Sequence, residues 1–273
     1  MAGLTDYTET AFLNFLRGTN LPTAPTTVYI GLNSADDDAG GSEVTATYLS
    51  GRSAYTASNF TSPATASGFR QIKNSTLITV GTAIAIGASV PNFSVWDSLT
   101  GGNCLWSGAF VDGVGAASPL SFGIGDTITI PINGLILNLS LTGTSIYLRD
   151  KELNWLRGTG AGTAPTTYAG LATAVNADGT ITEVTTTVRV AGRVTVSAWN
   201  AVGTSAPNKF TLNTNAINFG ASAGAVTNLS HMILMDAATS GNLLKFPALP
   251  LARNVVASDP VIWQAGKVRI EQS

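Results

Sequence analysis

The chain has 273 residues, a formal net charge of −2 and only 11% charged residues, whereas 44% are hydrophobic. This composition excludes a disordered chain and lacks the basic surface of a nucleic-acid-binding protein. One cysteine and one histidine exclude an intrachain disulfide framework and a zinc site built from several such ligands. The sequence has no run of 18 apolar residues and no basic segment followed by an apolar one at its start. We therefore expect neither a membrane span nor a secretory signal.

The dominant feature of the sequence is an internal repeat. The heptapeptide LNFLRGT at 13–19 returns as LNWLRGT at 153–159, and both copies are followed by the same TAPTT segment. The length also exceeds the usual size of a single domain. We therefore predict two tandem homologous domains, residues 1–143 and 144–273, joined by a very short linker.

Each copy of the heptapeptide is predicted to end a short helix. The first helix is predicted from Asp6 to about Arg17, with Asp6 as the N-cap and Glu9 at the spacing of a capping box. In the second copy Asp150 is the expected cap. The apolar positions of the first helix are predicted to form one stripe: Phe12, Phe15 and Leu16.

The repeated Arg-Gly pair is predicted to close each helix. Arg17 and Arg157 complement the helix dipole, and Gly18 and Gly158 stand where a left-handed residue ends the helix. A second interpretation makes the two arginines ligand-binding cations. The helix-terminal role, or a structural ion pair, is the favoured one.

A polar hairpin is predicted in the middle of each half. Both halves read as a strand, an aspartate, a turn rich in Gly and Asn, and a second strand. The aspartates are Asp97 and Asp236. No partner acid, base or nucleophile repeats beside them, so turn closure is favoured over catalysis. The repeated structural positions are Arg17, Gly18, Pro25, Glu43, Asp97, Gly102 and Asn103, and then Arg157, Gly158, Pro165, Glu183, Asp236, Gly241 and Asn242.

The fold class follows from the remaining alternation of apolar residues. Asn133-Gly134 lies between alternating segments and predicts a hairpin that ends the first half, and 261–270 predict its counterpart. Each half thus reads as one helix and seven or eight short antiparallel strands. We predict a mainly β protein with two tandem antiparallel β-sandwich domains, each preceded by a short N-terminal helix. A small closed barrel is the alternative.

Few residues suggest chemistry. Three successive carboxylates at 36–38 permit a calcium site, but their spacing favours a solvated turn. His231 lies in a strand-like segment, so a Ser-His-Asp triad is disfavoured, and Cys104 is interpreted as a small buried hydrophobe. Trp96, Trp106 and Trp263 are either a sugar-stacking platform or, as favoured, core residues. We predict no catalytic residues, no cofactor and no metal.

The order of these motifs resembles a family of small virion proteins of tailed bacteriophages. The resemblance rests on LRGT after a helix, the TAPTT strand, the E-V-T and G-R segments, and the strand-Asp-turn-strand unit, and it covers both halves. It implies a non-enzymatic building block located in the virion. The implied partners are other virion proteins and further copies of the chain, whereas the composition and the lack of a long apolar run predict no nucleic-acid and no membrane partner. A trimer would present six similar domains in a pseudo-hexameric arrangement.

Three functions remain open. The favoured one is a capsid decoration (cement) protein that stabilises the particle through protein–protein contacts, because charged residues are depleted at interface cores. The alternative is a tail or fibre component that binds host surface glycans. An enzyme of the depolymerase type is a weaker alternative.

Overall fold

The computed structural model describes residues 3–36, 42–112 and 115–272 and shows a mainly β protein built from antiparallel sheets. The first half contains the helices α1 (Asp6–Leu16) and α2 (Thr45–Tyr48) and the strands β1 (Gly3–Leu4), β2 (Thr27–Asn33), β3 (Ser53–Thr56), β4 (Ala64–Ala66), β5 (Phe69–Lys73), β6 (Ile78–Thr82), β7 (Gly87–Val90), β8 (Asn92–Trp96), β9 (Cys104–Ala109), β10 (Leu120–Phe122), β11 (Thr127–Ile130) and β12 (Ile136–Ser140). In the described residues, no helix has both the length and the apolar character needed to cross a membrane.

The second half repeats this order of elements. It contains the helices α3 (Ile146–Leu156) and α4 (Thr185–Val188) and the strands β13 (Tyr168–Val175), β14 (Ile181–Glu183), β15 (Val194–Thr195), β16 (Gly203–Ser205), β17 (Asn208–Leu212), β18 (Ile217–Ala221), β19 (Val226–Met235), β20 (Leu243–Lys245), β21 (Ala248–Val255), β22 (Pro260–Trp263) and β23 (Arg269–Gln272). The strands are more numerous than the seven or eight short strands predicted for each half.

The sheets of the two halves correspond. The first half has a sheet in the order β1-β9-β8-β2-β3, a sheet β12-β5-β4, and the pairs β10-β7 and β11-β6. The second half has the order β14-β13-β19-β20, with β15 on β13 and β21 on β19, then β16-β17-β23 and β18-β22. The predicted fold class, mainly β with two homologous antiparallel units and a helix before each, is confirmed.

The helix starts differ from the prediction. Thr5 and Ser145 are the N-caps, and Ser145 Oγ accepts a hydrogen bond from the Leu148 amide at 3.1 Å. The N-cap is Thr5 and not Asp6, so the predicted capping box of Asp6 with Glu9 does not form, and the Glu9 carboxylate accepts the backbone N–H of Lys209 at 2.8 Å. Asp150 lies inside its helix. Sequence spacing predicts only local capping partners for these two carboxylates, whereas the fold gives them distant ones.

The helix ends confirm the prediction. Gly18 and Gly158 have φ values of +92° and +83°. In each copy the Gly N–H bonds to the carbonyl three residues back, and the following Thr N–H bonds to the carbonyl five residues back. This pattern is a Schellman motif, which satisfies the last carbonyls of the helix.

The polar hairpins form as predicted, but the terminal hairpins do not. Strands β8 and β9 pair, as do β19 and β20. Around Asn133-Gly134, however, β11 pairs with β6 and β12 pairs with β5. Strands β22 and β23 likewise pair with β18 and β17. Alternation determines which face of a strand is buried and not which strand lies beside it, so the turn leads from one sheet to another.

Helices α1 and α3 each bury side chains in the core of the other half. Phe12 and Phe15 of α1 lie in the core of the first half, whereas Leu13 and Leu16 lie in the core of the second. The predicted single stripe of α1 is therefore divided between two cores. Helix α3 does the reverse, because it buries Leu153, Trp155 and Leu156 in the core of the first half.

The contact between the halves is reciprocal. Helix α1 packs on β17 and β23 of the second half, and α3 packs on β5 of the first. Ion pairs reinforce both sides, between Lys209 and Asp6 at 2.8 Å and between Arg70 and Asp150 at 2.5 Å. A reciprocal contact of equivalent surfaces is the isologous arrangement of a two-fold dimer. The division at residues 143 and 144 remains a prediction, and each helix belongs to both cores.

Candidate functional site

The most specific repeated geometry is a glutamate–arginine pair beside the polar hairpin, here called the Glu–Arg cluster. In the first half Arg52 Nη2 lies 2.7 Å from Glu43 Oε2, and Arg52 Nε donates to Oε1 at 2.8 Å. The Thr45 hydroxyl donates to the same Oε1 at 2.7 Å. Arg52 Nη1 donates to the carbonyls of Ser98 and Gly101 at 2.8 and 2.7 Å. The cluster therefore ties the segment after β2 to the β8–β9 turn.

The second half repeats the Glu–Arg cluster. Arg193 Nη2 lies 2.7 Å from Glu183 Oε2, and Thr185 donates to Oε1 at 2.6 Å. Arg193 Nη1 donates to the carbonyls of Ala237 and Ser240 in the β19–β20 turn. In the first half the guanidinium also covers an aromatic ring, because Arg52 lies 3.6 Å above the centre of Trp96.

The repeated aspartates close the turns that the arginines hold. Asp97 accepts both the backbone N–H and the side-chain amide of Asn103, at 2.7 and 2.8 Å. Asp236 accepts the same two groups of Asn242, at 2.6 and 2.8 Å. A Cβ atom at Gly102 would collide with Asp97 Oδ1, which explains why the turn needs glycine at this point.

The surroundings of each Glu–Arg cluster favour an ionised carboxylate whose oxygens accept hydrogen bonds. Burial opposes ionisation of Glu43, but hydrogen bonds from Arg52 and Thr45 and the charge of Arg52 together hold its pKa below the ordinary value. The pKa of Glu183 is lowered by the same balance of burial, hydrogen bonds and charge. Every oxygen of these carboxylates already accepts a hydrogen bond. The arrangement suits a structural brace that holds the turn.

The predicted motif positions separate into two groups. Glu43, Asp97, Gly102 and Asn103 come together around Arg52, and their counterparts do so around Arg193. The sequence marks Arg52 and Arg193 only by a repeated G-R pair, and this pair is the signal by which they could be identified.

The helix-end positions form the second group. Arg17 bonds to the side chain of Asn14, whereas Arg157 bonds to Asn154 at 3.0 Å and to the Phe60 carbonyl at 2.9 Å. Burial lowers the pKa of the Arg157 guanidinium. Pro25 and Pro165 precede β2 and β13. These arginines therefore bond to the chain's own helices and carbonyls, which supports the helix-terminal role.

Sequence reasoning does not identify one buried polar group of the second half. Lys245 Nζ donates to the Thr144 hydroxyl and the Glu271 carbonyl at 2.8 Å, and to the side chain of Gln272 at 3.3 Å. Burial, assisted by the charge of Arg149, lowers the pKa of Lys245 to about 7. No sequence signal marks this lysine, because it stands at the end of a short strand like any surface residue.

Two of the three tryptophans, Trp96 and Trp106, are buried, as the favoured core interpretation predicts. Trp106 is 1% exposed and belongs to the core, as favoured, and Trp96 lies beneath Arg52. Trp263 is half-buried and lines a surface cavity of about 400 Å³. Cys104 is buried, as predicted.

The remaining chemical candidates stay isolated. His231 lies in β19, where its Nδ1 is 2.7 Å from the hydroxyl of Ser230, and burial lowers its pKa. Asp36 accepts the Ser107 hydroxyl at 2.8 Å, while Asp37 and Asp38 lie outside the described residues. Over the described ranges, no group of three or more His, Cys, Asp or Glu residues is placed to hold a metal ion.

The fold and these clusters define a tandem-repeat β protein whose repeated polar residues brace its turns. A family model described as "Podophage GP4 fiber I protein gp80" matches residues 3–138 and again residues 143–271. The chain belongs to this family, with two copies of the family unit, and is a structural component of a phage virion. A comparison with curated proteins gave no match.

Proposed function

We propose that the chain is a non-enzymatic component of a podophage fibre that acts through protein–protein contacts. The observation that carries this proposal is the double match to a fibre-protein family over nearly the whole chain. The geometry supports it, because the repeated carboxylates brace turns through hydrogen bonds to all their oxygens.

Capsid decoration, the function favoured from the sequence, is the second candidate. It is supported by the charged content of only 11%, which suits a surface covered by neighbouring subunits. The two functions differ in copy number, because a fibre part is present in few copies and a decoration protein in hundreds.

The experiment that separates them is quantitative mass spectrometry of purified virions, combined with immunogold labelling. We expect a low copy number and label at the tail. Label over the whole capsid with a high copy number would establish the decoration function instead. Incubation of the purified chain with host polysaccharide is expected to release no oligosaccharides, and cleavage would replace the non-enzymatic proposal with a depolymerase.

We also propose that the chain forms a homotrimer. The reciprocal helix contact argues for an arrangement other than the pseudo-hexameric ring. A pseudo-hexameric ring requires head-to-tail contacts between successive repeats, whereas the two repeats of one chain meet through equivalent surfaces. Three chains would therefore present six repeats as three pairs. Sedimentation equilibrium is expected to give three times the chain mass of 28.0 kDa, and a monomer or dimer would contradict the trimer.

A further inference from the structure

A surface cavity in the second half combines an aromatic ring with unpaired positive charge. It has a volume of about 400 Å³ and lies between β21 and β22. Its apolar wall includes Leu249 and Pro250, and the ring of Trp263 forms part of the same wall. Phe219 packs edge-on against Trp263 at a ring distance of 5.7 Å and supports it from the core. Pockets of this size commonly hold small ligands.

The polar groups of the cavity are all donors or neutral. Arg253, Lys267 and Gln264 lie on its rim, and no carboxylate of the described residues lines it. Among the described residues, neither the Arg253 nor the Lys267 side chain has an ion-pair or hydrogen-bond partner. Two acids close to the lining residues in sequence have other partners, because Asp259 accepts the Val256 amide at 3.0 Å and Glu271 pairs with Arg269 at 2.5 Å. The rim is therefore complementary to an anionic group.

A second cavity of about 220 Å³ adjoins the first and shares Leu249, Pro250, Trp263 and Lys267 with it. The indole thus stands between two compartments. This arrangement suits a ligand of more than one ring that extends along the surface.

The first half provides an internal comparison, because its equivalent positions carry none of these groups. Leu120 is the counterpart of Arg253, because it pairs with Val90 as Arg253 pairs with Leu229. Ile130 is the counterpart of Trp263, because it pairs with Ile78 as Trp263 pairs with Ile217. In the first half, Pro131 and Gly134 occupy the turn positions of Gln264 and Lys267. These counterparts are identified by the side chains of Asn74 and Asn213, which make equivalent hydrogen bonds to the two turns. The same fold thus forms without the aromatic and cationic residues. Their presence in the second half is not a requirement of folding.

We propose that this cavity binds an acidic saccharide. The indole of Trp263 packs against the apolar face of a sugar ring, Arg253 and Lys267 bind its carboxylate or phosphate, and Gln264 bonds to a hydroxyl. A nucleic acid strand fits less well, because it requires a continuous basic groove and the chain carries a net charge of −2. This inference goes beyond the fibre function and does not depend on it.

Isothermal titration calorimetry on the full chain tests the proposal. The probes are a hyaluronan tetrasaccharide for the carboxylate, glucose 6-phosphate for the phosphate, neutral chitotetraose, and a short oligothymidylate. We expect at least one acidic saccharide to bind about tenfold or more tightly than chitotetraose. Preference for one acidic probe identifies the acid group. Failure of both to bind at about 10 mM, equal binding of chitotetraose, or tighter binding of the oligothymidylate overturns the proposal.

Two variants locate the binding in the cavity. Trp263→Ile and Arg253→Leu install the residues of the first half, so the fold is expected to tolerate both, and circular dichroism checks this. Each should weaken binding of the acidic saccharide by about tenfold. Lys73→Gln removes one cation from the first half and should leave binding unchanged. Wild-type affinity in either cavity variant, or equal weakening in Lys73→Gln, overturns the assignment, while fibre location is judged separately on virions.

Discussion

Each Glu–Arg cluster takes a carboxylate and a guanidinium partly out of water and compensates for the lost hydration with several hydrogen bonds. The side chain of Arg52 is only 8% exposed and that of Glu43 is 22% exposed. Such a pair stabilises little in comparison with two apolar residues, yet removal of one partner leaves the other buried and uncompensated. The cluster therefore contributes chiefly by fixing the geometry of the turn that it holds.

We predict that Arg52→Gln destabilises the chain by about 2–4 kcal/mol, because Glu43 loses its charged partner and two turn carbonyls lose their donor. The free energy of unfolding from urea denaturation checks this. The matched control is Arg269→Gln, whose ion pair with Glu271 is 41% and 46% exposed. This control should cost less than about 1 kcal/mol. Equal costs for the two variants would contradict the structural importance of the cluster.

The pKa of Lys245 predicts a pH dependence of stability. Its pKa is about 7 in the folded chain and about 10.4 when unfolded, so the unfolded chain binds more protons between these values. The free energy of unfolding should therefore rise with pH in this window, by at most about 1.4 kcal/mol per pH unit from this group. Besides Arg149, the charges that act on Lys245 are Glu152, Glu271 and Glu9, which favour its protonated form.

The measurement compares urea denaturation of the wild type and Lys245→Met at about pH 7 and pH 9. Other titrating groups are common to both proteins, so the difference between their slopes isolates Lys245. We expect the wild type to gain stability relative to the variant as the pH rises. Identical slopes would show that Lys245 keeps its ordinary pKa.

At the scale of elements, the two helices end in the same Schellman motif but in different surroundings. A Cβ atom at Gly158 would lie 2.9 Å from the Pro25 carbonyl oxygen, whereas the corresponding position at Gly18 has open space. The end of α3 therefore packs closely against the loop of the first half. The first copy of the heptapeptide thus has a purely local function, whereas the second also makes a contact between the halves.

This difference predicts unequal effects of the same substitution. Gly18→Ala should cost about 1 kcal/mol, because alanine must adopt a positive φ. Gly158→Ala should cost about 2 kcal/mol or more, because the same strain is joined by a collision with backbone. Thermal denaturation of the two variants gives the comparison. A Gly158→Ala variant as stable as Gly18→Ala would argue against the tight contact at Pro25.

At the scale of the whole molecule, the exchange of helix side chains makes the halves dependent on each other. The core of the first half contains Leu153, Trp155 and Leu156, and that of the second contains Leu13 and Leu16. The rings of Phe12 and Trp155 meet edge-to-face at 5.8 Å between the helices. A half on its own would expose these apolar contacts to water.

We therefore predict that fragments 1–143 and 144–273 do not fold as monomers. Mixed together, they should form a 1:1 complex with the circular dichroism spectrum of the intact chain. Alone, each should be unfolded or should dimerise through its own helix, because the contact is isologous. Analytical ultracentrifugation distinguishes these states, and a folded monomeric fragment would show that the exchanged side chains are dispensable.

The sequence by itself determined the features whose causes are local or repeated. The 140-residue repeat established two homologous units, the Arg-Gly pair established the helix ends, and the Asp-to-Asn turn established one hairpin in each half. Glycine at a positive φ and aspartate over a turn act within a few residues, so their spacing is sufficient to identify them.

Only the tertiary structure decided which distant groups meet. Alternation predicts strands at β11 and β12 and both form, yet they pair with β6 and β5 and not with each other, because alternation carries no information about the neighbouring strand. Arg52 donates to turn carbonyls, and Glu9 accepts the backbone N–H of Lys209, across long separations in sequence. The division of Leu13 and Phe12 between two cores likewise depends on how α1 lies between the halves. Strand partners, distant hydrogen bonds and core membership are determined by the packing of sheets and helices in three dimensions, and no local sequence pattern predicts them.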